Sequence, residues 1–268
     1  MRVAVLDDGS PLGSGTVEQL QNHGFDAAVV FNPPGFDFVT QADLADKLAG
    51  CSVVIDLSGP PSLGDGTLTE EYGLVIDEES LLSRIRHSAS MLLTAEAAVG
   101  VHHHVALSVV GVDRMGTEGA FRALRWKEQM VARSGVPYSI IRSTQVFETV
   151  DDVAEAATED WIVWLPPVRT RPVAGEEVAT LLAHTAAFSP LQRVKEIAGP
   201  EQFRLDTFVR QALTAEHEHR QVFTDWRSTF FGSRVRRDDL LPGPDAYIAQ
   251  RLYGEWLIDR MGERHRTS

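Results

Sequence analysis

The chain predicts an α/β fold, a doubly wound parallel sheet followed by a small C-terminal lobe, and three observations carry that reading. Short apolar, β-rich runs alternate with helical patterns through the first half, which calls for a parallel sheet with helices on both faces. The first such run passes straight into a helix pattern through a glycine-bearing turn, "VAVLDDGSPLGSGTVEQL" from Val3 to Leu20. The 268 residues, 43% hydrophobic and 24% charged, suit one domain of this kind with an appended lobe.

Taken in order, strands are expected at Val3–Leu6, Ala27–Phe31, Ser52–Leu57, His103–Val109 and Tyr138–Ile141. Helices fit between them at Gly15–His23, Gln41–Ala49, Glu78–Val99 and Phe121–Ser134. The longest places Leu81, Leu82, Ile85, Ala89, Leu92 and Leu93 at close to helical spacing, and a glycine follows it as the stop. From about Asp151 the loops lengthen, Pro166–Pro167 interrupts the chain, and short elements follow. Residues 1–150 therefore read as the sheet domain. Residues 151–268 read as a smaller substrate-covering lobe, interleaved with it in one compact unit. The final "GERHRTS" reads as a frayed tail.

Composition narrows the function classes. A single cysteine, Cys51, permits no intrachain disulfide and fits a reducing, cytoplasmic setting. No signal peptide and no membrane-spanning run is read, so no membrane partner is expected. The formal net charge of −13, with only Arg234–Arg237 locally basic, argues against a nucleic-acid partner. A small-molecule substrate is expected, and a homo-oligomer is left open. The "HHH" at His102–His104 looks like a metal motif, but neighbouring strand residues point to opposite faces, and no metal is expected. "HEH" at His217–His219 reads as exposed.

The stretches "AAVGVHHHVALSVVGVDRM", "EQMVARSGVPYSIIRSTQVFE", "IAGPEQF" and "LLPGPDA" resemble atypical short-chain dehydrogenase/reductases. The nearest group is the NmrA-like, NAD(P)H-binding branch of actinobacterial style, and the resemblance spans roughly Met1 to Trp256. It implies a Rossmann-type fold with a substrate cleft beneath the C-terminal lobe. Chemistry is a separate matter, because function lives in the site and not in the fold.

Against that family's turn, roughly T-G-x-x-G-x-x-G, this chain reads L-D-D-G-S-P-L-G from Leu6 to Gly13. Asp7 and Ser10 replace two glycines, Gly9 is displaced, and only Gly13 stays in register. The glycines normally let the backbone approach a pyrophosphate at a helix N-terminus. Asp7 and Asp8 would bring negative charge towards that pyrophosphate, a repulsion on the order of a few kcal/mol when partly buried. The alternative is an Asp7 that points to solvent. Pro11 lacks an N–H, and Ser10–Pro11 reads as an N-cap followed by proline at the first helical position. Asn32, at the end of the second strand, matches neither a ribose-binding acid nor a 2′-phosphate-binding arginine. Gly9, Ser10, Gly13 and Asn32 are thus a degenerate cofactor site.

The family's tyrosine–lysine pair is absent as well. Ala120 and Leu124 stand at its positions in "GAFRALRWKEQ", and the nearby Arg125 and Lys127 read as surface charges. There the lysine would lower the tyrosine pKa for proton transfer to a carbonyl.

What remains lies where the carboxyl edge of the sheet is expected. Ser108 matches the family's active-site serine. Asp8, Ser108 and Glu148 are the candidate catalytic residues. An acid in a semi-buried cleft has its pKa raised by desolvation, which suits proton transfer. Asp7, Ser58, Arg142, Thr144, Gln145, Phe147, Phe121, Trp161 and Trp164 are candidate substrate-binding residues. For Ser108, Gln145 and Glu148 a structural hydrogen bond is the competing role, and for the two tryptophans it is a place in the lobe's core.

Three functions are weighed. The first is a repurposed enzyme of this fold performing cofactor-independent cyclisation, isomerisation, dehydration or lyase chemistry on a small organic molecule in secondary metabolism, with no cofactor. The second is an NADPH- or NADH-dependent reductase of a carbonyl, quinone or enone with a divergent turn. The third is an NmrA-like binding or regulatory protein.

Overall fold

Seven strands, every pairing parallel, form the centre of the molecule in a computed structural model that describes residues 1–7, 10–31, 41–59, 78–115 and 119–267. In chain order the elements are β1 (Arg2–Asp7), α1 (Pro11–Asn22), β2 (Asp26–Phe31), α2 (Gln41–Leu48), β3 (Val53–Asp56), α3 (Glu78–Val99), β4 (His103–Val109), α4 (Val112–Met115), α5 (Gly119–Arg133) and β5 (Tyr138–Ser143). There follow α6 (Val150–Ala156), β6 (Thr158–Glu159), β7 (Ile162–Leu165), β8 (Arg169–Thr170), α7 (Gly175–Ala187), β9 (Val194–Ala198), β10 (Phe203–Arg204), α8 (Leu205–Ala215), β11 (Gln221–Thr224), β12 (Tyr247–Ile248) and α9 (Tyr253–Thr267).

The strand order is β12-β9-β5-β4-β3-β1-β2. The chain leaves β1 for β2 on one side and returns to β3 on the other. The order reverses there, and the carboxyl ends of β1 and β3 part to leave a crevice, the usual ligand position in an open α/β sheet. Side-chain alternation divides the core. Val3, Val5, Val53 and Ile55 face α1 and α7, while Ala4, Leu6 and Val54 face α2 and α3. Beyond the sheet a third cluster, including Phe121, Phe147, Phe208, Tyr253 and Trp256, fills the lobe.

The chain beyond residue 150 serves both layers. β9 and β12 extend the main sheet, and α7 covers one of its faces against α1. The short β6, β7 and β11 form a separate sheet in the lobe, flanked by α6 and α8. Helix α7 left no periodic trace in the sequence because Val178, Ala179, Leu181, Leu182 and Ala183 are all buried, between sheet and α1. The expected frayed tail instead continues α9 to Thr267. Helix α1 begins at Pro11 rather than Gly15, with Ser10 as its cap.

The triple histidine divides as strand alternation requires. His103 meets Ser139 Oγ at 2.8 Å on one face, and burial together with the nearby His104 depresses its pKa to about 4. On the other face His104 Nδ1 meets Glu96 at 2.8 Å. Burial alone would neutralise His104, but Glu96, by charge and hydrogen bond, and Asp56 together outweigh it and raise the pKa. Lys127 corrects the surface-charge reading. It is 4% exposed, and its Nζ lies 2.8 Å from Asp56 Oδ2. It shares the buried stripe of α5 with Ala120, Leu124 and Val131, a spacing at which a core-facing side chain is expected. Burial would raise the Asp56 pKa, but Lys127 and His104 hold it below the usual carboxylate value.

Lys127→Ala should cost about 3–5 kcal/mol, because it leaves Asp56 buried without its cation. Arg125→Ala, two residues away, should cost less than about 0.5 kcal/mol. Urea denaturation of the two variants checks this, and equal effects would contradict it.

Candidate active site

A cavity of about 690 Å³ lies beyond the carboxyl ends of the central strands. Its floor is Asp7 from β1, Leu57 and Gly59 after β3, Leu107–Val109 of β4, and Ser143–Val146 at the end of β5. The first turns of α1 and α7 form one wall, while Phe121 and Leu124 of α5, Thr149, Asp152 and Val153, and the lobe's Phe230 and Phe231 close the rest.

Asp7 does not point to solvent. It is 3% exposed, and its carboxylate accepts the Ser10 amide and the Ser10 hydroxyl, each at 2.7 Å. Ser10 Oγ in turn accepts the Gly13 amide at 3.2 Å, completing the cap of α1. A Cβ on Gly13 would stand 2.2 Å from Asp7 Oδ2, so this glycine clears room for the protein's own carboxylate. The positive end of α1, which favours an anion, already holds one.

The arrangement is repeated at α7. Glu148 Oε2 accepts the Gly175 amide at 2.9 Å, at the first residue of α7. Its other oxygen accepts the Trp256 indole N–H at 3.2 Å. A Cβ on Gly175 would stand 2.9 Å from the carboxylate, so again the glycine admits it. Glu148 is open to the cavity yet ringed by protein. That partial burial pushes its pKa above the usual range, the amide and indole pull it down, and the nearby Glu176 raises it further. Glu148 thus keeps its proton to higher pH than an ordinary glutamate does, and it is held in a fixed orientation beside the cavity.

Ser108 lines the cavity at the end of β4, is 4% exposed, and its hydroxyl has no hydrogen-bond partner. Buried hydroxyls are normally paired, and an orphan at a cavity wall is suited to a ligand atom.

Of the residues expected from sequence, Asp7, Ser10, Ser108, Phe121, Thr144, Gln145 and Glu148 meet around this one cavity. Gln145 and Thr144 also have structural partners: Thr170 donates to the Gln145 side chain, and Thr144 Oγ1 donates to the Arg171 carbonyl at 2.6 Å. Asp8, Gly9 and Asn32 lie outside the described residues. Gly13 sits behind Asp7. Ser58 is tied below the crevice, its hydroxyl donating to Asp56 and lying 3.0 Å from Lys127 Nζ.

Four placements are corrected. Arg142 turns away from the cavity into a bidentate pair with Glu128, at 2.8 and 2.7 Å, and reaches Asp113 at 3.0 Å, because its place on β5 faces α5. Phe147 is buried at ring-centroid distances of 5.0 Å from Tyr253 and 5.7 Å from Trp256. Trp161 stands 82% exposed at the tip of the β6–β7 hairpin. Trp164 packs against Phe223 at 5.6 Å in the lobe's small sheet. Sequence reasoning missed Asp152, Glu176, Phe230 and Phe231. The two acids lie in the first turns of helices, where acidic residues are ordinary. The two phenylalanines come from an irregular segment with no period to place them. Among the described residues, no group of three His, Cys, Asp or Glu could hold a metal ion, and no helix is long and apolar enough to cross a membrane.

No family model matches the chain, and no curated protein matches it. Solved structures do. MoeE5, in complex with UDP-glucuronic acid and NAD, aligns at a TM-score of 0.71 and 14% identity over 100% of both chains. A UDP-glucose 4-epimerase of Thermus thermophilus, complexed with NAD, aligns at 0.59 and 18% identity, covering 90% of this chain and 92% of its own. An NADPH-dependent quinone oxidoreductase of Escherichia coli, complexed with NADPH, aligns at 0.58 and 18% identity, covering 83% and 77%. The fold is the Rossmann-type α/β fold of these dehydrogenase- and epimerase-type proteins. At such identities the likeness carries the fold and no finer grouping, NmrA-like or actinobacterial.

Because the Ser108 hydroxyl has no bond to lose, Ser108→Ala should leave stability unchanged or raise it by up to ~1 kcal/mol. A loss of that size in urea denaturation would mean that the hydroxyl has a partner. The Glu148 pKa is raised in the folded state, so the stability it contributes is fully present below the ordinary value of 4.5 and is lost as pH rises through the raised one. Glu148→Gln should remove that part of the stability–pH profile, and an unaltered profile measured by thermal melting would contradict it.

Proposed function

We propose that the cavity is the active site of an enzyme that transforms a small organic molecule by acid–base chemistry without a dinucleotide. One observation carries this reading: at two helix N-termini on the cavity a carboxylate of the chain stands where a phosphate would lie, Asp7 on the Ser10 cap of α1 and Glu148 on the Gly175 amide of α7. A pyrophosphate at α1 would have to displace Asp7 from the Ser10 amide and then lie beside its charge. Pro11 offers it no N–H, and among the described residues no lysine, arginine or histidine lines the cavity to compensate. The described residues do not fit the NAD or NADPH that the structural neighbours carry, and no step of the reaction is routed through either.

The chain's own groups support proton transfer instead. Ser108 Oγ can donate a hydrogen bond to a substrate carbonyl or hydroxyl oxygen as charge develops on it. Glu148, its pKa raised, can hold a proton above the ordinary carboxylate range and deliver it, with Asp152 in the first turn of α6 as a second carboxyl of the lining. Isomerisation, dehydration, lyase and cyclisation reactions need no more than such groups and a shaped cavity that holds a reactive pose. A second reading, an NADPH- or NADH-dependent reductase, draws support from the cofactors named in the neighbours' complexes.

Calorimetric titration separates the two. The cofactor-free reading expects no heat and no thermal shift with NADPH or NADH at millimolar concentration. Micromolar binding of either would favour the reductase.

A further inference from the structure

We propose that the ligand of this cavity is a protonated amine on an apolar, aromatic-sized body. This deepens the cofactor-free reading and rests on it. Among the described residues four carboxyl groups line the cavity, Asp7, Glu148, Asp152 and Glu176, and no cationic side chain does. Arg251 pairs with Glu176 and reaches Asp259 at 2.7 Å, so it meets this acid from outside the lining. Asp7 and Glu148 already stand at the starts of α1 and α7, so a carboxylate or phosphate ligand would meet acids and no counter-charge on the described lining.

A second observation, independent of the acids, points to an occupant. The Ser108 hydroxyl lies at the cavity wall, is largely buried, and has no hydrogen-bond partner among the described residues. A hydrogen-bond acceptor on the ligand supplies that partner. The rest of the wall suits an apolar cation. Phe121, Phe230 and Phe231 line it as a contiguous aromatic cluster, with ring centroids 6.1 Å apart for the first pair and 4.7 Å for the second. Aromatic faces attract an ammonium group, most strongly where it is desolvated. At about 690 Å³ the cavity has the size usual for a small organic ligand.

The test uses three probes with one ring system and different charge: tryptamine, tryptophol and indole-3-propionate, titrated calorimetrically into the full-length protein at neutral pH. Tryptamine is expected to saturate and to bind at least about tenfold more tightly than either analogue. The double variant Asp152→Asn, Glu176→Gln should lose that preference while keeping its fold by circular dichroism, and NADPH should fail to displace tryptamine. Equal or tighter binding of tryptophol or indole-3-propionate would overturn the proposal, as would the absence of saturable tryptamine binding. Displacement of tryptamine by NADPH would overturn the cofactor-free reading and the proposal with it. The charge preference and the displacement thus mark two separate failures.

Discussion

The proposed function depends on one interaction, the carboxylate of Asp7 held on the amide and hydroxyl of Ser10. In an open α/β sheet the crevice beside the first strand gains its affinity for phosphate from the free N–H groups and positive end of the following helix. Here Asp7 of β1 holds Ser10, and Ser10 Oγ takes the Gly13 amide in the first turn of that helix. Gly13, which in a nucleotide site lets helix and strand lie close, provides the space into which the Asp7 side chain fits. The same logic governs α7, with Gly175 and Glu148 as the pair. Two helix ends on the cavity thereby carry two fixed carboxyl groups, and the proposed proton handling and cation binding rest on that placement.

This rearrangement stands on a frame of buried, mutually compensated charges. Glu96, His104, Asp56 and Lys127 link α3, β4, β3 and α5 beneath the crevice, and Lys127 reaches on to the Ser58 carbonyl, fixing the chain as it leaves β3. A parallel set joins Arg142 of β5 to Glu128 of α5 and to Asp113. Charges so deeply placed are costly to desolvate, and each is tolerated because an opposite charge and hydrogen bonds accompany it. They add little net stability compared with apolar packing. What they supply is position: each chain ties the carboxyl end of a central strand to a helix, which holds the cavity floor in register.

Much of the fold was legible in the sequence. The five strands alternate with helices because apolar, β-branched runs are buried on both faces of a parallel sheet, and His103–Val109 and Glu78–Val99 fall where their patterns place them. The start of α1 was written in Ser10–Pro11, a local capping signal that needs no tertiary context. Helices α7 and α8 and the two outer strands β9 and β12 were not legible: α7 is buried on more than one side, and β12 is two residues long. At the site, the residues that end strands, Asp7, Ser108 and Gln145, could be placed because a strand end fixes its position at the sheet edge. Arg142 and Lys127 could not, since one residue of phase decides whether a long cation faces the cavity, the core or solvent. Trp161 and Phe147 depended on how the lobe folds, which no local pattern encodes.

The central claim is that the Asp7 carboxylate, and not a ligand phosphate, occupies the Ser10 amide at the start of α1. The most direct measurement is a crystal structure of the wild-type protein grown with millimolar NADPH. This account predicts Asp7 on the Ser10 amide, as described, and no pyrophosphate density at the first turn of α1. Pyrophosphate density there, with the Asp7 side chain turned away from Ser10, would contradict it.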